Sequence, residues 1–116
     1  MKKVFLSYTL KDKEINKDFL FRIKEWLDKQ SIDSFIDLID NVYDVELFQV
    51  KLIEELKKCD VLFIIHTSKY DESKWANIEI EEAEKRNLTI LKVDYSVLQN
   101  AINRNFGIEY VLKNQL

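Results

Sequence analysis

The stretch Asp60–His66, DVLFIIH, constrains the fold more than any other part of the chain. Its five consecutive apolar residues, Val61 to Ile65, leave no polar face. A strand of this kind is buried on both sides, which places it at the centre of a parallel sheet covered by helices. Shorter runs rich in β-formers recur at Lys2–Tyr8, Ser31–Asp37, Leu88–Asp94 and Ile108–Leu112, and each reads as a strand. Ser31–Asp37 alternates apolar and polar residues, which suits an edge.

Helical spacing fills the intervals. Between Lys13 and Gln30, Ile15, Phe19, Leu20, Ile23, Trp26 and Leu27 form one apolar stripe. Val45, Phe48, Leu52 and Leu56 form another within Asp44–Cys59, with Lys57 and Lys58 suited to its C-terminal end. The third and fourth helices are expected over Glu72–Asn87 and Ser96–Gly107. Asp12, Asp44 and Ser96 are the expected N-caps, and Gly107 the expected stop. Strands alternating with helices predict a flavodoxin-like three-layer α/β sandwich, with a five-stranded parallel sheet in the order 2-1-3-4-5 and helices on both faces. Residues 1–116 are expected to form a single domain.

Composition narrows the function. Charged residues make up 34% of the chain at a net charge of -3, mixed in sign and without a basic block. A nucleic-acid partner is therefore not expected. No apolar run reaches membrane-spanning length, and the run after Lys2–Lys3 is too short for a signal peptide, so a cytoplasmic protein without a membrane partner is expected. A lone cysteine, Cys59, excludes an internal disulfide and a thiolate metal cluster, and reads as a small buried hydrophobe. With one glycine and no proline, the chain has no glycine-rich phosphate loop. Its turns must be made by Asp, Asn and Ser.

In such sheets ligands bind beyond the carboxyl ends of the strands, where the strand order reverses. Here that lies between the first and third strands, which present Ser7, Tyr8 and Thr9, and His66, Thr67 and Ser68. The helix that follows carries an anomaly. With Trp75 set at zero as a core residue, Glu79 falls at about 40° on the helical wheel, within the apolar arc. A carboxylate there needs a partner, a shifted pKa, or a cavity to face.

Several segments resemble the Toll/interleukin-1 receptor (TIR) family, above all its bacterial members. They are KVFLSYTLKD, FID at the end of the second strand, KKCDVLFIIHTSKYDESKW and KWANIEIEEA. Ser73, Trp75, Glu79 and Ile80 fill the family's S-x-W-x-x-x-E-I/L signature, and the likeness spans roughly residues 2 to 94. The resemblance implies an enzyme that cleaves NAD, its substrate, between nicotinamide and ribose, as hydrolase or cyclase, in bacterial defence signalling. By carry-over Glu79 is the catalytic residue, with Ser7, Tyr8, Thr9, His66, Thr67 and Trp75 as binding residues. Tyr8 is left to stack on a ring or to pack, and His66 to hydrogen-bond locally. The resemblance further implies self-association through TIR–TIR contacts and work with a separate effector protein, and no resident cofactor or metal. The loop DLIDNVYDVE departs from receptor and adaptor members in lacking glycine and proline, and its Asp37, Asp40 and Asp44 read as turn and cap residues.

Two other functions fit the same residues. One is a non-catalytic interaction module, the adaptor role of many TIR domains. The other is a nucleoside deoxyribosyltransferase-like enzyme, which also works with a carboxylate at an N-glycosidic bond. A phosphorelay receiver is excluded by Ser7–Tyr8 and His66, which stand where it would need acidic residues.

Overall fold

The computed structural model describes residues 1–40 and 48–116. Four strands form one parallel sheet: β1 (Lys3–Ser7), β2 (Asp33–Phe35), β3 (Val61–His66) and β4 (Thr89–Asp94). Their order is β2-β1-β3-β4, with Phe5 opposite Phe35 and Leu62, and Leu62 opposite Ile90. The helices are α1 (Lys17–Asp28), α2 (Asp37–Asp40), α3 (Phe48–Lys57), α4 (Lys74–Lys85), α5 (Tyr95–Asn103) and α6 (Ile108–Lys113). None of them is long and apolar enough to cross a membrane.

Strand alternation divides the core in two. Val4, Leu6, Phe63, Ile65, Leu91 and Val93 pack with α1, α5 and Val111 of α6 on one face. Phe5, Leu62 and Ile64 pack with Leu52 and Leu56 of α3 and with Ala76 and Ala83 of α4 on the other. All five apolar residues of β3 are buried, as the DVLFIIH run requires, and Cys59 lies buried in the second cluster. β2 takes the edge.

Among the described residues the sheet has four strands where five were expected. Ile108–Leu112 lies in α6, not in a strand, and Gly107 is its N-cap, not the stop of α5. Only Val111 of this segment is fully buried, and a run this short has no periodicity to separate helix from strand. Beyond it, the Leu116 N–H donates to the Lys92 carbonyl of β4. Two caps also differ. Asn16 caps α1, accepting from the Phe19 N–H at 2.9 Å, with Ile15 before the cap in the same core as Leu20. Asp94 caps α5, accepting from the Ser96 N–H at 3.1 Å. Asp44 and Val45 lie outside the described residues.

The displaced Asp12 has another task. Its carboxylate accepts from Ser68 Oγ at 2.8 Å and from the Lys69 N–H at 2.9 Å, fastening the loop after β1 to the loop after β3. The buried Thr67 hydroxyl makes no bond of full geometry, yet it lies near enough to Asp12 to hold that carboxyl below its usual range.

Scarcity of glycine shapes the helix ends. In α1, α4 and α5 the chain leaves the helix through a left-handed residue: Ser31 (φ 61), Asn87 (φ 56) and Asn105 (φ 57). After each, an N–H reaches back five residues, from Ile32 to Leu27, Leu88 to Ala83 and Phe106 to Ala101. These are Schellman endings made by the backbone at Ser and Asn residues, the types that the composition calls for. A β-carbon in this region costs free energy that glycine does not. Ser31→Gly is therefore expected to raise stability by about 0.5–1 kcal/mol, read as a higher urea midpoint at unchanged slope; an unchanged or lower midpoint would show that Ser31 is not strained.

Candidate functional site

β1 ends in a change of chemistry. Val4 and Leu6 face α1, while Phe5 faces α3 and α4, and the next residue of that second row is Ser7. On α4, Ser73 caps the first turn by accepting from the Ala76 N–H at 3.2 Å. The buried face of α4 is centred on Ala76, Ala83 and Ile80. Trp75 lies about 100° from that centre and is 42% exposed, so it is not the core residue the wheel assumed. Glu79 lies on the flank between them, opposite Ser7.

A cavity of about 440 Å³ opens there. Leu6, Tyr8, Thr9 and Lys11 line it from β1 and the following loop, Asp37 and Leu38 from α2, and Trp75 and Glu79 from α4. Glu79 is half-buried: its carboxyl opens on the cavity and is otherwise surrounded by protein. Ser7 Oγ donates to Glu79 Oε1 at 2.7 Å, and also meets the Tyr70 hydroxyl at 2.5 Å. Across the cavity, the Tyr8 hydroxyl donates to Asp37 Oδ1 and accepts from the Leu38 N–H at 3.2 Å.

Burial sets the electrostatics. It pushes Glu79 up to about 8, against the Ser7 hydrogen bond and with a smaller push from the Asp37 charge. Burial also raises Asp37, although the Tyr8 hydroxyl and backbone N–H groups pull it back. The Tyr8 and Tyr70 hydroxyls are both raised, first by burial, so they remain proton donors at any ordinary pH. Among the described residues two acids thus share the interior, and the one cation of the lining, Lys11, is at its exposed rim. Among the described residues no three His, Cys, Asp or Glu side chains gather to hold a metal ion.

The expected binding residues divide. Tyr8, Thr9 and Trp75 line the cavity, and Ser7 reaches it through Glu79. His66 and Thr67 are not in its lining. His66 Nε2 lies 3.8 Å from Asp71 Oδ2, and its ring centroid 6.1 Å from that of Tyr70. Asp37 and Tyr70 are the additions. Asp37 had a signal, a carboxylate just past a strand's carboxyl end. Tyr70 had none, since its partner Ser7 is 63 residues away.

No family model matches the chain, and no curated protein sequence matches it. Solved structures do. The TIR domains of the activated Roq1 resistosome, which directly recognises the pathogen effector XopQ, align with a TM-score of 0.65 at 22% identity, covering 97% of this chain and 68% of theirs. The fold is TIR-like. A 2-desoxiribosyltransferase from Leishmania mexicana aligns with the same TM-score at 10% identity. It covers 81% of this chain, which spans 65% of the transferase. On this TIR-like scaffold the cavity lies at the carboxyl end of β1, where open parallel sheets bind ligands.

Proposed function

We propose that this TIR-like chain cleaves NAD at the bond between nicotinamide and ribose, with Glu79 as the catalytic carboxylate. The observation that carries the reading is Glu79 itself: an acid on the flank of an apolar helix face, open to a cavity and held by Ser7 at 2.7 Å. The cavity volume falls in the range of small-ligand pockets. The chemistry matches a single carboxylate. Nicotinamide is bound as a pyridinium, so on departure it takes the electron pair of the breaking bond, leaves neutral and needs no general acid. Positive charge develops on the ribose, and an anion beside it lowers the barrier, as in glycoside hydrolysis. Water then completes hydrolysis, or the adenine of the same molecule completes cyclisation. Trp75 and Tyr8 offer aromatic faces to a ring, and Lys11 offers a charge to the diphosphate. A role in defence signalling belongs to the same proposal.

Glu79 must be ionised to act, and in the free protein burial pushes its pKa up to about 8. The kcat/KM for NAD is therefore expected to rise about tenfold per pH unit below that value and to level above it. A cationic ring beside Glu79 favours the anion, so the midpoint in kcat should fall lower than the one in kcat/KM. A flat profile between pH 6 and 9 would remove Glu79 from the role of an ionised catalyst.

The first test is concentrated protein incubated with NAD, with products resolved chromatographically. Nicotinamide release supports the reading, and its companion product separates hydrolase from cyclase. A parallel incubation with deoxynucleosides addresses the transferase reading, for which the likeness in fold to the Leishmania mexicana transferase is the favouring observation. No release under concentrated conditions favours the interaction module. For that module the favouring observation is Leu10, Leu38 and Trp75, each more than 40% exposed around the cavity mouth. It requires concentration-dependent self-association in sedimentation.

A further inference from the structure

We propose that Tyr70 is a positioning residue that acts on Glu79 through Ser7, fixing the Ser7 proton on Oε1 and leaving Oε2 as the oxygen offered to a ligand. This rests on Glu79 being the working group of the cavity.

A serine hydroxyl has one proton to give. Ser7 spends it on Glu79 Oε1 at 2.7 Å. The contact of 2.5 Å between Ser7 Oγ and the Tyr70 hydroxyl must then run the other way, with Tyr70 donating and Ser7 accepting. Direction is thereby fixed along the chain Tyr70 to Ser7 to Glu79. Were Glu79 to carry a proton on Oε1 and give it to Ser7, Ser7 would have to donate to Tyr70, and the buried phenol would be left with a proton and no acceptor among the described residues. Burying a donor in that way is unfavourable. Any proton on Glu79 is thus driven to Oε2. Each donor in such a chain polarises the next, so the Tyr70 proton strengthens the bond that Ser7 gives.

Placement supports the assignment. Tyr70 is 1% exposed and Ser7 fully buried, so water does not compete for either hydroxyl. Tyr70 belongs to the short helical turn Tyr70–Glu72 just before α4, and Ser73 begins the cap of the helix that carries Glu79. The Tyr70 N–H donates to the Thr67 carbonyl at 3.1 Å, and the Ser73 N–H to the Tyr70 carbonyl at the same distance. Backbone and side chain of one residue therefore set both the start of α4 and the orientation of its acid. The other groups facing Glu79 are Asp37 and, beside it, Tyr8, with Lys11 at the rim of the cavity.

The decisive measurement is the titration of Glu79 itself, by carboxyl carbon NMR on the full chain, because it reads the relay whether or not NAD is the substrate. Ser7→Ala removes the direct donor and should raise the Glu79 midpoint by about one pH unit. Tyr70→Phe, which keeps the ring and removes one oxygen, should raise it by a smaller amount, about half a unit. In the double variant the midpoint should equal that of Ser7→Ala alone, because Tyr70 has no route to Glu79 once the hydroxyl is gone. An unmoved midpoint in Ser7→Ala, or full additivity in the double variant, overturns the relay. Should Tyr70→Phe fail to fold, 3-fluorotyrosine in place of Tyr70, a stronger donor of nearly the same shape, should lower the Glu79 midpoint, and an unmoved midpoint there overturns the role of Tyr70. If NAD is turned over, the acid limb of kcat should move with the NMR midpoint while KM holds. Absent turnover with the shifts intact would overturn the proposed reaction and leave the relay standing.

Discussion

Glu79→Gln is expected to lose NAD cleavage by about 10³-fold in kcat, the scale of removing one preorganised electrostatic group from a transition state, while becoming more stable than the parent in alkali. The two effects have one origin. Burial raises Glu79 to about 8 in the folded chain, from an ordinary carboxyl value near 4.5. A group raised on folding contributes stability that is full below its unfolded pKa and lost as pH climbs through its folded one. The parent should therefore weaken between about pH 4.5 and 8. The glutamine keeps the shape and has no charge to bury. Because the carboxyl opens on a cavity, the gain above pH 8 is set on the order of 3 kcal/mol, less than full burial would give. Urea denaturation of both proteins across that range checks it, with nicotinamide release measured on the same samples. Retained turnover in folded Glu79→Gln would end the proposal for Glu79, and parallel stability curves would show the carboxyl to be well solvated.

Phe63→Ala should cost about 4 kcal/mol, the largest loss of stability expected from one change in this chain. Phe63 is fully buried in the middle of β3, between β1 and β4, among side chains from α1 and α5. The hole would lie where neither neighbouring strand can shift without breaking the ladder. For a domain with roughly 5–15 kcal/mol in hand, such a loss takes a large share of the folding free energy. A drop below about 2 kcal/mol in chemical denaturation would show that the core repacks around the hole.

How much of this was legible in the sequence depends on the distance over which each residue acts. β3 announced itself because five apolar residues in a row tolerate only one environment. The α1 stripe was equally plain, and Ile15, Phe19, Leu20, Ile23, Trp26 and Leu27 are all buried. The dearth of glycine told which residue types would end the helices. Glu79 stood out as an acid in an apolar arc, yet the same wheel misplaced Trp75, because the arc was centred one residue too early. The sheet's fifth strand failed for a different reason: Ile108–Leu112 is short enough to satisfy either geometry, and packing against α5 decided it. Asp12 and Asn16 are both good caps, and only tertiary bonds to Ser68 and Lys69 drew Asp12 away. The pairs that build the site, Ser7 with Tyr70 and Tyr8 with Asp37, join residues 63 and 29 positions apart, which no local pattern encodes.

The fastening made by Asp12 has a mechanical consequence. It ties the segment that carries Thr9 and Lys11 to the segment that leads into Tyr70 and α4, so these two walls of the cavity swing as one lever. Its strength is set by an acid that folding makes easier to ionise, so it holds at neutral pH and lets go as pH falls through the lowered folded value. Mild acid therefore leaves it intact, and only pH below the ordinary carboxyl value of about 3.8 should unlatch the mouth of the cavity and decouple one wall from the other.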